Sequence, residues 1–340
     1  MKVIVDDKIP FIRGQVERIA DEVVYLPGAA ITVSDVRDTD ALLIRTRTLC
    51  NRQLLEGSRV RLIVTATIGY DHLDTQYLKE AGIAWTNCPG CNATSVAQYV
   101  RNACLESESQ GLTCLREATL GIVGYGHVGK AVYKALRPYV KEIVLNDPPQ
   151  FENEELRIKN EELTLLHSSL EGLQTNCDII TLHTPLTFDG PHPTHHLVDK
   201  TFLDRLTRKP LLINAARGGV VDEEALEKAL DEGRIRQAII DTWEGEPQVR
   251  RSLLDKVFIG TPHIAGYSAD GKANATRMTL KALAKHFQSS VSDFQISIPT
   301  APPERTGLNY SPTADSRLLK TNPTSFEYQR GHYPLRREGE

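Results

Sequence analysis

Six cysteines in 340 residues are too few and too irregularly spaced for a disulfide framework, so reduced thiols are expected. The chain also lacks a basic excess. Forty Lys and Arg against 44 Asp and Glu leave a formal charge of -4 and a pI near 6.2, which supplies no positive field for nucleic acid. No apolar run approaches the length of a membrane span, and the opening Met1-Lys2-Val3-Ile4-Val5-Asp6-Asp7 reads as a first strand, too brief for a signal peptide. These absences argue against a nucleic-acid binder and a membrane protein and make a cytoplasmic location the expectation. What the chain does have is 40% apolar residues, enough for a full core, and a length that divides into two domains.

Up to about residue 92, short apolar runs at Val3 to Val5, Ala41 to Ile44, Leu62 to Thr65 and Ile83 to Trp85 alternate with amphipathic segments. This pattern indicates a parallel α/β unit. A helix capped by Thr94 or Ser95 then runs through Val96, Val100 and Leu105, polar on one side. A second α/β series follows, with strands at Thr119 to Val123, Ile143 to Leu145, Ile179 to His183, Leu211 to Asn214, Ala238 to Asp241 and Val257 to Gly260. One more helix, roughly Ala273 to Phe287, returns to the first domain. Residues 293 to 340 differ in kind, rich in proline and charge with sparse anchors at Phe326, Tyr328 and Tyr333, and their composition favours a partly ordered tail.

The first strand of the second series ends directly in Gly124-Tyr125-Gly126-His127-Val128-Gly129, with a helix from Val128 to Leu136, a strand and then Asp147. Strand, glycines, helix, strand and acid in that order form a dinucleotide fingerprint, much stronger than a lone G-x-G-x-x-G. Gly124 allows the tight turn, Gly126 lets a pyrophosphate approach the backbone, and Gly129 lets the helix pack on the strand. Asp147 accepts hydrogen bonds from the adenosine ribose and repels a 2'-phosphate. Pro148 and Pro149 follow it with no arginine nearby, which favours NAD over NADP.

Three further motifs lie at the carboxyl ends of later strands, where doubly wound sheets bind their ligands. They are Asn214-Ala215-Ala216-Arg217-Gly218-Gly219, Trp243-Glu244-Gly245-Glu246-Pro247 and Thr261-Pro262-His263-Ile264-Ala265-Gly266. Arg217 can grip a carboxylate through its planar fork, His263 can exchange a proton near neutral pH, and Glu246 can orient that imidazole and favour its charged form. Together these abilities suit oxidation of a 2-hydroxy acid.

On these motifs the chain resembles the D-isomer-specific 2-hydroxyacid dehydrogenases, from near residue 1 to about residue 290. Within that family Thr65-Ala66-Thr67 leading to Asp71-His72, Pro89-Gly90-Cys91-Asn92-Ala93, Asn146-Asp147-Pro148-Pro149, His183-Thr184-Pro185-Leu186 and His263-Ile264-Ala265-Gly266-Tyr267 with Gly271-Lys272 point to members acting on a four-carbon 2-hydroxy acid that carries a phosphate. The resemblance implies two doubly wound parallel-sheet domains, a flavodoxin-like substrate domain (1–92 plus 267–292) and a Rossmann NAD domain (93–266), followed by a shortened C-terminal dimerisation segment (293–340). It implies Arg217 and Glu246 as active-site residues, His263 as proton donor or acceptor, and Thr46, Thr67 and Tyr267 as substrate contacts. NAD would be held by Asp147, Thr184, Asp241 and Gly266 with the backbone after Gly126, at His127 and Val128. A homodimer is expected. Arg45 and Arg47, flanking Thr46, are candidates for the phosphate on charge alone, with solvated loop charges the equal alternative. Rival readings are another dehydrogenase of the family acting on D-3-phosphoglycerate, and an NAD-sensing, corepressor-like binding protein.

Two patterns are set aside. Cys88-Pro89-Gly90-Cys91 has redox spacing but precedes a long helix outside any thioredoxin-like context, so a tight loop at a domain boundary is expected. His192, His195 and His196 lie in a Pro- and Gly-rich surface loop with no cysteine or carboxylate placed to complete a metal site, so a solvated or hydrogen-bonding loop is expected.

Overall fold

The computed structural model describes residues 1–339. They form two compact units, one of Met1–Asn92 with Ser268–Thr300, the other of Ala93–Tyr267 with the chain from Ala301 onward. Residues 293–300 therefore go with the first unit, where Phe294 joins the core, and Tyr267 goes with the second.

The first unit holds strands β1 (Lys2–Asp6), β2 (Glu22–Leu26), β3 (Ala41–Ile44), β4 (Leu62–Thr65) and β5 (Ala84–Thr86), all parallel, in the order β2-β1-β3-β4-β5. That is the flavodoxin-like winding. β3 and β4 are buried along their whole length, the reason they read as unbroken apolar runs rather than as alternation. β2 is an edge strand, half-buried and opened by the exposed Glu22, although Val23 to Leu26 form an apolar run like those of its neighbours. The Ala269–His286 helix covers one face, packing Leu280 and Leu283 against Val3, Val5, Leu43 and Val64. Ser268 caps it, its hydroxyl accepting from the Gly271 N–H at 2.8 Å.

The second unit holds β6 (Thr119–Val123), β7 (Glu142–Asn146), β8 (Ile179–Leu182), β9 (Leu211–Asn214), β10 (Gln237–Ile240) and β11 (Ile259–Gly260), in the order β11-β10-β9-β8-β6-β7. Helices cover both faces. On one, Tyr99, Val100 and Ala103 of the Ala93–Ser109 helix and Val132 and Leu136 of the His127–Leu136 helix pack with Leu120 and Ile122. On the other, Leu173, Phe202, Leu226 and Leu253 pack with Ile180 and Leu212.

The expectation of a partly ordered tail is overturned. Beyond residue 301 the chain forms helices at Pro312–Thr321 and Phe326–Gly331, and Tyr310, Leu319, Phe326 and Arg336 are at most 2% exposed. The cause lies in the polar side of the Ala93–Ser109 helix. Its buried Asn102 amide donates to the carbonyls of Gly307 (2.9 Å) and Tyr310 (2.7 Å), and Gln98 donates to those of Gly307 (3.1 Å) and Arg337 (2.8 Å). Backbone groups that a proline-rich segment cannot pair with one another are thereby satisfied. All six cysteines are free thiols, five of them buried, and among the described residues no helix is long and apolar enough to cross a membrane.

Candidate active site

The three loop motifs of the second unit are tied together by side chains of their own. After β9, the Asn214 carboxamide accepts from the Ala216 N–H (3.1 Å) and donates to the Arg217 carbonyl (3.0 Å), bending the loop that presents the half-buried Arg217. Gly218 comes next, and a Cβ there would lie 2.0 Å from the Trp243 carbonyl oxygen. Only glycine lets the Arg217 loop rest on the Glu246 loop. Trp243 in turn donates from its indole to the Thr261 carbonyl at 2.9 Å, linking the second motif to the third.

Glu246 and His263 meet at the centre. The His263 Nδ1 lies 2.8 Å from Glu246 Oε2 and 3.1 Å from Oε1, and Oε1 also accepts from the Trp243 N–H at 2.9 Å. A carboxylate on Nδ1 puts the proton there and leaves Nε2 for chemistry. Burial opposes the charge on Glu246, but His263, the Trp243 N–H and Arg330 outweigh it and hold the carboxyl below the ordinary glutamate value. His263 has a left-handed backbone, φ 54°, a conformation that persists in a non-glycine residue only when its surroundings impose it. Here they do. The His263 N–H donates to the Asp241 carbonyl (2.8 Å), while the buried Asp241 carboxylate accepts from the Thr261 hydroxyl (2.6 Å) and from the N–H groups of Ile264 (2.8 Å) and Ala265 (2.9 Å). Asp241, expected to hold the cofactor, also shapes the histidine loop. Gly266 closes that loop. Tyr267 follows, its hydroxyl accepting from Arg330 Nε at 3.1 Å.

The glycine turn occupies the point where β6 neighbours both β7 and β8. Gly124 has φ +89°, and a Cβ on it would lie 2.6 Å from the His183 carbonyl oxygen; a Cβ on Gly129 would lie 2.0 Å from the Gly124 carbonyl oxygen. Gly126 differs. Nothing lies within 4 Å of where its side chain would be, and the helix beginning at His127 and Val128 has no side-chain cap, so its first N–H groups face a space an anion can enter. Asp147 follows β7, and one of its oxygens accepts from the Tyr125 N–H (2.7 Å) and the Gln150 side chain (2.6 Å) while the other caps Gln150 N–H (3.0 Å). The acid thus also braces the glycine turn. Buried polar atoms at this edge of the sheet have no protein partner: the Thr184 and Thr242 hydroxyls and His183 Nδ1. Burial pushes His183 down to about 3, so its imidazole is neutral. An open glycine, an uncapped helix and orphaned donors and acceptors fit a dinucleotide. No role was read from the sequence for His183 or Thr242, although they lie one and two residues past a strand.

Thr46 and Thr67 belong to the first unit, after β3 and β4. Thr46 is exposed. The Thr67 hydroxyl donates to the Gly69 carbonyl (2.9 Å) and pairs with the Thr65 hydroxyl (2.7 Å), which itself meets His72 Nε2 at 3.0 Å. Arg45 donates to the Lys8 carbonyl at 3.2 Å, joining the loops after β1 and β3 where this sheet reverses its order. Lys272 stands in the same field: burial, with Arg45 adding to it, pushes its ammonium down to about 8.

Two surface patterns resolve differently. Cys88 is buried, with its thiol on the Ala275 carbonyl (3.4 Å), and burial raises its pKa, which leaves an inert thiol rather than a redox centre. The histidine loop needs correction: a carboxylate does reach it. Glu244, 48 positions along the chain, meets His196 Nε2 at 2.6 Å, and the ligand atoms of His195, His196 and Glu244 lie within 4.8 Å of one another. Sequence spacing carried no sign of this, because Glu244 arrives from the loop after β10.

Comparison with known proteins agrees with this geometry. Residues 92–265 match the family model of the D-isomer specific 2-hydroxyacid dehydrogenase NAD binding domain, and the second unit binds NAD. The chain is 49% identical to erythronate-4-phosphate dehydrogenase of Bacteroides thetaiotaomicron over 99% of this chain and 97% of that one. It is 41% identical to the enzyme of the same name from Escherichia coli strain SMS-3-5, over 84% of this chain but 73% of that one. Among solved structures, D-lactate dehydrogenase from Aquifex aeolicus, complexed with NAD and lactic acid, superposes with a TM-score of 0.64 over 85% of this chain and 96% of that one at 22% identity, a likeness of fold. The chain belongs to the erythronate-4-phosphate dehydrogenases, within the D-isomer-specific 2-hydroxyacid dehydrogenase family.

Proposed function

We propose that this chain oxidises 4-phospho-D-erythronate to 2-oxo-3-hydroxy-4-phosphobutanoate with NAD, as a cytoplasmic homodimer serving pyridoxal 5'-phosphate synthesis. The observation that carries the reading is the His263 Nδ1 to Glu246 contact of 2.8 Å on a loop packed against the one that bears Arg217. Bound NAD supplies the acceptor for the C2 hydride. Arg217 clamps the C1 carboxylate through its fork and orients C2. Neutral His263 takes the C2 hydroxyl proton at Nε2, and Glu246 stabilises the imidazolium that forms. In the reverse direction protonated His263 polarises the 2-oxo group, and Arg217 steadies developing negative charge.

Thr46, Thr67 and Tyr267 are the proposed further substrate contacts. Arg45 and Arg47 are the proposed phosphate donors, with Lys272 as a third cation beside Arg45. Asp147, Thr184, Asp241, Gly266 and the backbone at Gly124, Gly126, His127, Val128 and Gly129 hold NAD in this reading, with Asp241 also shaping the histidine loop. Free thiols throughout support a reducing compartment.

Steady-state comparison of 4-phosphoerythronate with 3-phosphoglycerate tests the substrate, and a higher kcat/KM for the latter would overturn it. Binding of NAD without turnover of either acid would favour the sensing role instead. A sedimentation mass of two chains is expected.

A further inference from the structure

The C-terminal segment, outside the 92–265 span of the family model, sets two arginines against the loop that carries His263. Arg336 is wholly buried. It donates to the carbonyls of Ile264 (2.9 Å), Tyr267 (3.1 Å), Ser95 (3.0 Å) and Ala265, and from Nε to the Gln98 carboxamide oxygen (2.8 Å). These carbonyls follow His263 directly, so a single guanidinium ties down the backbone of Ile264, Ala265 and Tyr267 and fixes it to the Ala93–Ser109 helix. Arg330, on the last helix, works on the side chains. Its Nε donates to the Tyr267 hydroxyl at 3.1 Å, and its Nη1 lies 3.9 Å from Glu246 Oε2, the oxygen nearer His263. Its remaining ion pair is with Glu327 at 3.9 Å.

We propose that Arg330 is a positioning residue of the His263–Glu246 pair, approaching the same Glu246 oxygen as the imidazole and clamping Tyr267, on a loop that Arg336 keeps in place. The proposal rests on the reading that His263 and Glu246 carry the proton transfer. Glu246 has limited ways to turn: Oε1 is fixed by the Trp243 N–H, and Oε2 is shared between an imidazole and a guanidinium. A carboxylate fixed at both oxygens keeps the imidazole in one orientation, the requirement for proton transfer at a set atom. Arg330 also sets the charge of the pair. The charged groups that act on His263 and Glu246 include Asp241 just after β10, Glu223 on the Glu223–Asp231 helix, and Arg330. Arg330 is the cation among them. Without it the acidic groups act on His263 unopposed, and the imidazolium becomes easier to form.

The test uses the full chain with Arg330→Gln, Arg330→Lys and Tyr267→Phe. Arg330→Gln is expected to lower kcat roughly 10- to 100-fold with the KM for NAD unchanged. It should also move the acidic limb of the kcat/KM profile for oxidation up by roughly half to one pH unit. Arg330→Lys should return the limb towards its original place while kcat stays low, since an ammonium restores the charge but not the reach to the Tyr267 hydroxyl. Tyr267→Phe should lower kcat without moving the limb. Titration of the His263 ring proton by NMR reads the same charge effect without turnover, so a failed substrate assignment and a failed Arg330 role are distinguishable. An unmoved His263 titration in Arg330→Gln overturns the proposal. So does loss of NAD binding in both Arg330 variants, which would mark Arg330 as a residue of the general fold.

Discussion

Both sheets reverse their strand order beside the first strand of their series, yet the loops at the two reversal points have little in common. In the second unit the turn after β6 is nearly bare. Gly124 and Gly129 sit where a Cβ would strike backbone, Gly126 faces open space, and the following helix starts without a side-chain cap. In the first unit the corresponding loops carry charge, with Asp6-Asp7-Lys8 after β1 and Arg45-Thr46-Arg47 after β3, joined by the Arg45 to Lys8 hydrogen bond. Winding decides where a ligand can sit; loop chemistry decides which ligand it is. Bare backbone and a helix terminus suit the pyrophosphate of a dinucleotide, whereas long cationic side chains suit a small, mobile phosphate.

The largest expected effect separates chemistry from cofactor binding within the second unit. His263→Ala should lower turnover by roughly 10²- to 10⁴-fold with NAD affinity nearly unchanged, read by steady-state kinetics and a fluorescence titration. Unaltered turnover would remove His263 from its role. Next comes the turn itself. Gly129→Ala forces a methyl to within 2.0 Å of the Gly124 carbonyl oxygen and should weaken NAD binding at least tenfold. In the first unit Gly82→Ala, with φ +69° and nothing within 4 Å of its Cβ, should cost only about 1–3 kcal/mol of backbone strain and leave NAD affinity alone. Equal losses of affinity at the two positions would break the contrast.

Arg45→Ala should raise the KM for the phosphorylated acid about tenfold, the weight of one ion contact of roughly 1.4 kcal/mol, without altering the KM for NAD. Arg217→Lys should weaken recognition of the carboxylate instead, because a point charge cannot reproduce a bidentate fork. The smallest effect concerns pH. Lys272 titrates near 8 in the folded chain and near its ordinary, higher value when unfolded, so the unfolded chain binds more protons between those values. Stability should therefore rise as pH climbs through 8 towards 10.5. Lys272→Met should flatten that rise in chemical denaturation, and an unchanged slope would remove the first unit's buried cation from the comparison.

How far the sequence could be read depended on how local each requirement was. The glycine turn was legible because strand, glycines, helix and acid lie within a few tens of residues and each needs a particular residue type. Arg217, Glu246 and His263 were legible because each follows an apolar strand. β2 was passed over although Val23 to Leu26 form an apolar run as long as that of β3. The carboxylate beside the histidine loop was missed because Glu244 comes from another strand's end. Asp241 was placed beside the cofactor, and only its bonds to Thr261, Ile264 and Ala265 reveal the work it does on the histidine loop.

By itself, then, the sequence determined two parallel-sheet units, a dinucleotide turn and the strand-end loops that carry Arg217, Glu246 and His263, all of them consequences of periodicity and short motifs. Tertiary structure alone decided the fate of the tail. Its proline-rich backbone pairs with amides of Gln98 and Asn102 more than 200 positions away, and Arg330 and Arg336 acquire their meaning only against Glu246, Tyr267 and the carbonyls after His263. Charged residues in a stretch without periodicity read as solvated until a fold supplies buried partners. Here those partners sit beside the His263–Glu246 pair.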